Sequence, residues 1–174
     1  DPFFEIIVGG FGPGPSIENK LFAINHDATN VTGFPLVIGE KIKSGVALAD
    51  FNDNGYDDIV FGTELDNLYL ILDSGVVSDG FPINLNDKIQ TAPSVLRDGN
   101  EQYILVGSKD DKFYSINSIG EIIFSIQTGG DISTAASFLD GELGLMIFFA
   151  SNDGYIYAVD MDNDNIPKST GYTD

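Results

Sequence analysis

A fourfold repeat constrains this chain more than any other feature of its sequence. A short apolar run that ends in small residues occurs at residues 5–10, 58–63, 103–108 and 146–151. After a turn, each run is followed by a second segment with a central aromatic residue, at residues 20–25, 67–72, 112–117 and 155–160. Such a repeat indicates supersecondary units that bury their apolar faces against one another.

Two further segments complete the repeat and predict the fold. A segment that often begins Gly-Phe-Pro occurs at residues 33–38, 80–84 and, without that sequence, 121–126. A segment rich in small residues occurs at residues 44–50, 91–97 and 133–140. Four short strands per repeat, with turns between them, predict an all-β chain, a β-propeller of four-stranded antiparallel blades. The chain would form about four blades, alone or as part of a larger propeller.

The residue types predict where each strand lies in a blade. Small residues suit the crowded innermost strand, continuous apolar runs suit a strand covered on both faces, and Pro suits the outer edge. We expect one domain over residues 1–174, with blades at about 1–40, 44–85, 91–127 and 133–174. The first blade would lack its inner strand.

Three explanations for that missing strand stay open. The chain is a piece of a larger propeller, its segment Lys168–Asp174 closes the ring, or a neighbouring chain supplies the strand. The last alternative would produce an oligomer or a filament, because an unpaired sheet edge invites another strand.

The clearest chemical motif connects the first two strands of the second blade. It reads Asp-x-Asn-x-Asn-Gly-x-x-Asp over residues 50–58. Ca²⁺ prefers roughly six to eight oxygen ligands, and alternate residues of a tight loop can direct oxygens to one centre. The predicted calcium ligands are the side chains of Asp50, Asn52, Asn54 and Asp58 and the backbone carbonyl of Tyr56.

Comparison within the chain sharpens this prediction. The equivalent connections, which begin at Arg97 and Asp140, are two residues shorter and lack the alternating oxygens, as is typical of ordinary Asp-Gly turns. The loop is not an EF-hand, because its twelfth position is Phe61 where that motif has Glu. Two weaker signals stay open, a second metal site in the acidic segment 160–165 and glycosylation at Asn30.

The segment ALADFNDNGYDDIVFGT, residues 47–63, resembles an FG-GAP (VCBS-type) repeat, the unit of integrin-α-like propellers. The other repeats are degenerate, and SNDGYIYAVD, residues 151–160, looks more like a quinoprotein-type propeller repeat. The FG-GAP resemblance implies a propeller with calcium in its loops, and a secreted or surface-exposed protein that serves in adhesion, glycan binding or scaffolding. A few related propellers are polysaccharide lyases.

Composition limits the partners. The chain has 27 Asp and Glu against 8 Lys and Arg, a net charge of −19. Nucleic acid and anionic membrane surfaces would be repelled, so cations are the favoured partners. No apolar stretch approaches the roughly 18 residues of a membrane span. The chain has no Cys, which excludes disulfides and thiol chemistry.

These observations lead to one expected function and two alternatives. We expect a non-enzymatic, extracellular calcium-binding propeller that serves as an adhesion, ligand-binding or structural scaffold module for a protein or glycan ligand. One alternative is a self-assembling subunit of an oligomer or extracellular filament. The other is a polysaccharide lyase or hydrolase, with catalytic residues drawn from loops distant in sequence.

Overall fold

The computed structural model describes residues 5–12, 19–141, 144–161 and 168–171, with backbone only for residues 141 and 168–171. These residues contain fifteen β-strands and no helix, and so no helix that could cross a membrane. Sheet 1 contains β1 (Ile6–Gly9), β2 (Lys20–Ile24) and β3 (Leu36–Val37). Sheet 2 contains β4 (Ala47–Ala49), β5 (Asp58–Gly62), β6 (Asn67–Ile71) and β7 (Ile83–Asn84). Sheet 3 contains β8 (Ser94–Asp98), β9 (Glu101–Gly107), β10 (Lys112–Asn117) and β11 (Ile122–Gln127). Sheet 4 contains β12 (Ser137–Gly141), β13 (Gly144–Ala150), β14 (Tyr155–Asp160) and β15 (Lys168–Gly171).

Each sheet is an antiparallel meander whose spatial order follows the chain. The prediction of an all-β chain with four-stranded antiparallel units is therefore confirmed for sheets 2, 3 and 4. The small-residue strands are shorter than predicted, because their first residues belong to the links between sheets. In sheet 3 the ladder begins at Ser94, directly after Pro93, which has no N–H to donate.

The apolar core lies between consecutive sheets rather than within one of them. The second strand of sheet 2 shows this best, because all five residues of β5 are buried. Ile59 and Phe61 cluster with Leu21 of sheet 1, whereas Val60 clusters with Ile104 of sheet 3. A strand that is covered on both faces has a continuous apolar sequence, which explains the run that marks the repeat.

A glycine at the end of the second strand shows which strands of the different sheets correspond to one another. Gly62 lies against Ile89, and a Cβ built on this glycine would come within 2.0 Å of that side chain. Gly107 is packed in the same way against Ile132, at 2.3 Å. Gly9 of β1 meets Ile42 at 2.5 Å, so β1 occupies the second-strand position. No described strand occupies the first position of sheet 1.

The second explanation for the missing strand was that the segment Lys168–Asp174 closes the ring. Its described residues, 168–171, do not do so. Its strand β15 pairs with β14 at the outer edge of sheet 4, with Lys168 opposite Ala158 and Gly171 opposite Tyr155. It completes a fourth strand there and pairs with no strand of sheet 1 among the described residues.

Candidate functional site

The loop between β4 and β5 departs from the pattern of the neighbouring sheet. In sheet 3 the equivalent hairpin stays paired up to Asp98 and Glu101. In sheet 2 the ladder ends at Ala49 and Asp58, so residues 50–57 leave the sheet completely. The extra length seen in the sequence is therefore accompanied by the loss of cross-strand pairs.

Side-chain oxygens order this loop from within. The Asp50 carboxylate accepts hydrogen bonds from the backbone N–H groups of Asn54, at 3.0 Å, and Gly55, at 2.7 Å. Asn52 accepts from the Asn54 N–H at 3.1 Å, and Asn54 in turn accepts from the Tyr56 N–H at 2.8 Å. Gly55 has a φ of 89°, a left-handed conformation that side chains disfavour. The three oxygen-bearing side chains therefore converge on the tip of the loop.

Asp58, the first residue of β5, anchors the loop at its other end. Its side chain is fully buried, and its two oxygens accept from the backbone N–H groups of Phe51 and Asp73, each at 2.9 Å. Burial raises the pKa of this carboxyl, and the negative charges of Asp73 and Asp50 act in the same direction, against the two hydrogen bonds. Asp58 therefore joins the start of the loop to the turn after β6.

Asp73 belongs to the site, and the sequence reasoning missed it. Its carboxylate accepts from the side-chain amide of Asn54 at 3.0 Å. The same position, four residues after the central aromatic residue, is occupied in the other sheets by His26, Ser118 and Met161. A carboxylate therefore stands there only in the sheet with the long loop, a coincidence that aligning the four repeats could have revealed.

Among the described residues, no cation pairs with the carboxylates of Asp50, Asp58 and Asp73, whereas Asp53 of the same loop has a partner. Arg97 pairs with Asp53 at 2.7 Å, and both side chains are exposed. None of the ion pairs among the described residues involves Asp50, Asp58 or Asp73. Three acidic or histidine side chains do not meet at metal-binding distance anywhere in the described ranges. The three carboxylates are thus neighbours that repel one another, and they do not form a closed cage.

The donor chemistry fits a hard cation. The loop and the adjacent turn contribute carboxylate and amide oxygens, the ligands that Ca²⁺ prefers. A carboxylate oxygen that accepts one N–H retains a second lone pair. The oxygens of the loop can therefore still bind a metal ion while they keep their hydrogen bonds. The candidate ligands are Asp50, Asn52, Asn54, Asp58 and Asp73. Tyr56 has an exposed phenol, and the expected role of its carbonyl stays a prediction.

A cleft of about 470 Å³ opens beside the loop, between sheets 1 and 2. Apolar side chains such as Ile7, Phe34 and Ile59 line it together with acidic residues. The acidic and phenolic residues that line it are Glu5, Tyr56, Asp57 and Asp73. An apolar surface beside several acids suits a ligand with an apolar body and a positive charge or hydrogen-bond donors.

The acidic turns at the opposite end of the sheets have a structural role. Asp110 and Asp153 each accept from a backbone N–H in their own turn and from the phenol of the following strand. Burial and these hydrogen bonds raise the pKa values of Tyr114 and Tyr157 to about 12. Most of the acidic segment 160–165 lies outside the described residues.

Comparison with known proteins supports the fold class. No protein-family model matches the chain, and no curated protein matches it in sequence. It is similar to the computationally designed Ika8 protein, with 16% identity and a TM-score of 0.67 over 97% of this chain and 46% of that one. It is also similar to BBS1N, crystallised in complex with ARL6DN and soaked with mercury, with 15% identity and a TM-score of 0.56 over 90% of this chain and 50% of that one.

BBS1N from crystals of the same complex soaked with lead is 12% identical to this chain, with a TM-score of 0.54 over 88% of this chain and 60% of BBS1N. BBS1N is a β-propeller, so the described chain has a β-propeller-like fold. The chain spans about half the length of the solved structures that it matches. Likeness at this level of identity concerns the fold alone.

Proposed function

We propose that the chain is a calcium-binding module of a β-propeller of the FG-GAP type, which serves outside the cell as a structural or ligand-binding scaffold. The observation that supports this most is the loop of residues 50–57, with Asp58 and Asp73 beside it. The loop and its two neighbours offer amide and carboxylate oxygens, and no described cation neutralises Asp50, Asp58 or Asp73; these are the ligand types that a calcium ion prefers. The FG-GAP resemblance of residues 47–63 points to the same ion.

The energetics of the loop favour a bound cation. A hairpin that stays paired, as in sheet 3, satisfies its backbone groups within the ladder. The loop gives up those pairs, and ordering each exposed residue costs about 1–2 kcal/mol of backbone entropy. Repulsion among Asp50, Asp58 and Asp73 adds to this cost. A divalent cation would neutralise the repulsion and cross-link the loop to the turn that begins at Asp73.

Calcium would act by stiffening one side of the cleft between sheets 1 and 2. Tyr56, Asp57 and Asp73 line this cleft and belong to the two segments that the ion would join. A protein or glycan ligand with donors or cationic groups fits its acidic lining, whereas the net charge of −19 disfavours polyanions. The proposed role is binding and scaffolding, without catalysis.

Thermal unfolding in calcium and in EGTA tests this proposal. Binding to the folded state alone stabilises it by mass action, by about 2.7 kcal/mol at a hundredfold excess of ligand over Kd. We expect calcium to raise the midpoint of the wild type and of Asp98→Ala, which removes an acid from the equivalent hairpin of sheet 3. Asp50→Ala should lose the response. Equal wild-type midpoints in calcium and EGTA, or an unchanged response of Asp50→Ala, would overturn the proposal.

A further inference from the structure

The outward face of sheet 1 is apolar and open. Ile6 and Val8 of β1 are 60% and 46% exposed. At the equivalent positions of sheet 2, Ile59 and Phe61 are 3% and 0% exposed, because they pack on sheet 1. Val37 of β3 is also exposed on this face. The outward face of sheet 1 therefore carries the side chains of a covered interface, and no described strand covers it.

The outward face of sheet 4, at the opposite end of the row of sheets, is also apolar and exposed. Ile156 of β14 is 46% exposed, whereas its equivalents Leu68 and Phe113 are fully buried against the next sheet. Phe148 lies on the same face of β13, because it pairs with Ala158, two residues beyond Ile156 on β14. In sheets 2 and 3, the face that corresponds to this one packs on the following sheet.

The internal interfaces show how these two faces match. Between sheets 2 and 3, Leu68 packs in one cluster with Ile104 and Val106. Ile156 of sheet 4 is the counterpart of Leu68, and Ile6 and Val8 of sheet 1 are the counterparts of Ile104 and Val106. The outward face of sheet 4 thus repeats one side of an interface that the chain already forms, and the outward face of sheet 1 repeats the other side.

We propose that sheet 4 of one copy packs on sheet 1 of a second copy, and that two copies form a closed head-to-tail ring. The capping repeats of repeat arrays have polar outer faces, whereas the outward faces of sheets 1 and 4 carry exposed apolar side chains that suit a further sheet. A heterologous contact closes into a ring when the rotation per repeat allows it. This chain covers 50% and 60% of the β-propeller BBS1N in its two crystals, so about two copies would supply the length of one such propeller chain.

The edge of β1 that no described strand pairs adds surface to the same end. A groove of about 680 Å³ runs beside it, lined by Ile7, Val8 and Phe11 and by the link residues 42–46. Net charges of −19 on both copies oppose association, so screening by salt should strengthen it. The contact itself is apolar and does not depend on the calcium proposal.

Mass measurement by light scattering, over a wide range of protein concentrations and at low and high salt, tests the ring. We expect the wild type to reach the mass of two chains, with the dimer favoured at high salt. Val8→Asp and Ile156→Asp each place a carboxylate in both interfaces of the ring, so each variant should remain monomeric at concentrations where the wild type is dimeric. Leu65→Asp is the control, because Leu65 is an exposed turn residue and its counterparts in sheets 3 and 4 are Asp.

Mixing the two variants distinguishes head-to-tail packing from other modes. The unaltered sheet 4 face of Val8→Asp can pack on the unaltered sheet 1 face of Ile156→Asp, so the mixture should recover mixed dimers through one intact interface. Unchanged circular dichroism and this recovery would show that both variants are folded. A wild type that is monomeric at every concentration and salt would overturn the proposal. So would a mass that keeps growing beyond two chains, or a dimer that survives Ile156→Asp.

Discussion

Two hairpins at equivalent places in neighbouring sheets differ in how they use their polar residues. Between β8 and β9 the backbone ladder extends to Asp98 and Glu101, and a short Gly-Asn turn completes it. Between β4 and β5 the ladder stops at Ala49, and residues 50–57 hold themselves in place through Asx-type hydrogen bonds. The framework on either side is the same in both sheets.

The difference shows where the repeat tolerates change. Strands buried between two sheets must keep their continuous apolar sequence, since each side chain fills part of an interface with one neighbour or the other. A loop at the end of a sheet is free of that constraint and can acquire chemistry. In sheet 2 the change involves two segments together, the loop and the turn that starts at Asp73.

Replacing the buried anchor should produce the largest effect. Asp58→Ala removes the acceptor of the Phe51 and Asp73 N–H groups, and we expect it to lower the free energy of unfolding by about 2–3 kcal/mol. Asp58→Asn retains one acceptor oxygen and should lose less. Urea unfolding in EGTA measures both. A loss below about 0.5 kcal/mol in the Ala variant would contradict the role of Asp58 as an anchor.

Removing the charge of Asp73 should separate the effect of the ion from that of the fold. Asp73→Asn relieves repulsion with Asp58, so the metal-free protein should be as stable as the wild type or slightly more stable. Calcium affinity should fall about tenfold, the equivalent of about 1.4 kcal/mol. Calorimetric titration and unfolding in EGTA measure the two effects.

The control for this experiment is Asp79→Asn, which lies in the next turn of the same connection between β6 and β7, is exposed and takes no part in the hydrogen bonds of the loop. It should leave both affinity and stability unchanged. Equal calcium affinities of the Asp73→Asn and Asp79→Asn variants would show that Asp73 plays no part in binding the ion.

The raised pKa of Asp58 predicts how pH and calcium interact. Because burial raises the folded-state pKa above the ordinary 3.8, this group stabilises the fold below that ordinary value, and the contribution is lost as pH rises through the raised pKa. Calcium requires the ionised carboxylate, so the calcium-dependent rise in midpoint should grow over the same window. Midpoints measured across acidic pH with calcium and with EGTA would show it. A calcium effect that is flat across this window would contradict the role of Asp58 as a ligand.

The smallest effect tests the shared framework rather than the loop. Ser115 is buried in β10, and its hydroxyl has no hydrogen-bond partner among the described residues. The equivalent residues are Ala23, Leu70 and Ala158. We expect Ser115→Ala to raise the free energy of unfolding by up to about 1 kcal/mol. Denaturant unfolding measures it, and a clear loss of stability would show that the hydroxyl has a partner.

The strands were predictable because their signals are local. Apolar runs such as residues 58–62 indicate a strand covered on both faces, and the structure places β5 there with every residue buried. The inner strands were predicted too long, since small residues in a link and in a strand look alike in sequence. The outer strand β15 has little signal in the sequence, because Lys168–Gly171 has no apolar pattern.

The candidate site was predictable only in its local part. The alternation of Asp50, Asn52 and Asn54 is a pattern within one loop, and the structure brings these side chains to the loop tip. Asp73 lies nineteen positions from its partner Asn54 and fifteen from Asp58. Such a neighbour depends on how two hairpins are paired, which is a tertiary property that no single loop sequence contains.

The central claim is tested most directly by the calcium stoichiometry, measured by calorimetry on two proteins. One is the wild type. The other is a graft in which residues 50–57 are replaced by residues 97–102, the equivalent hairpin of sheet 3. The wild type should bind one ion per chain through this loop, and the graft should lose that ion while it remains folded. A wild type that binds no calcium, or a graft that binds as much as the wild type, would contradict the account.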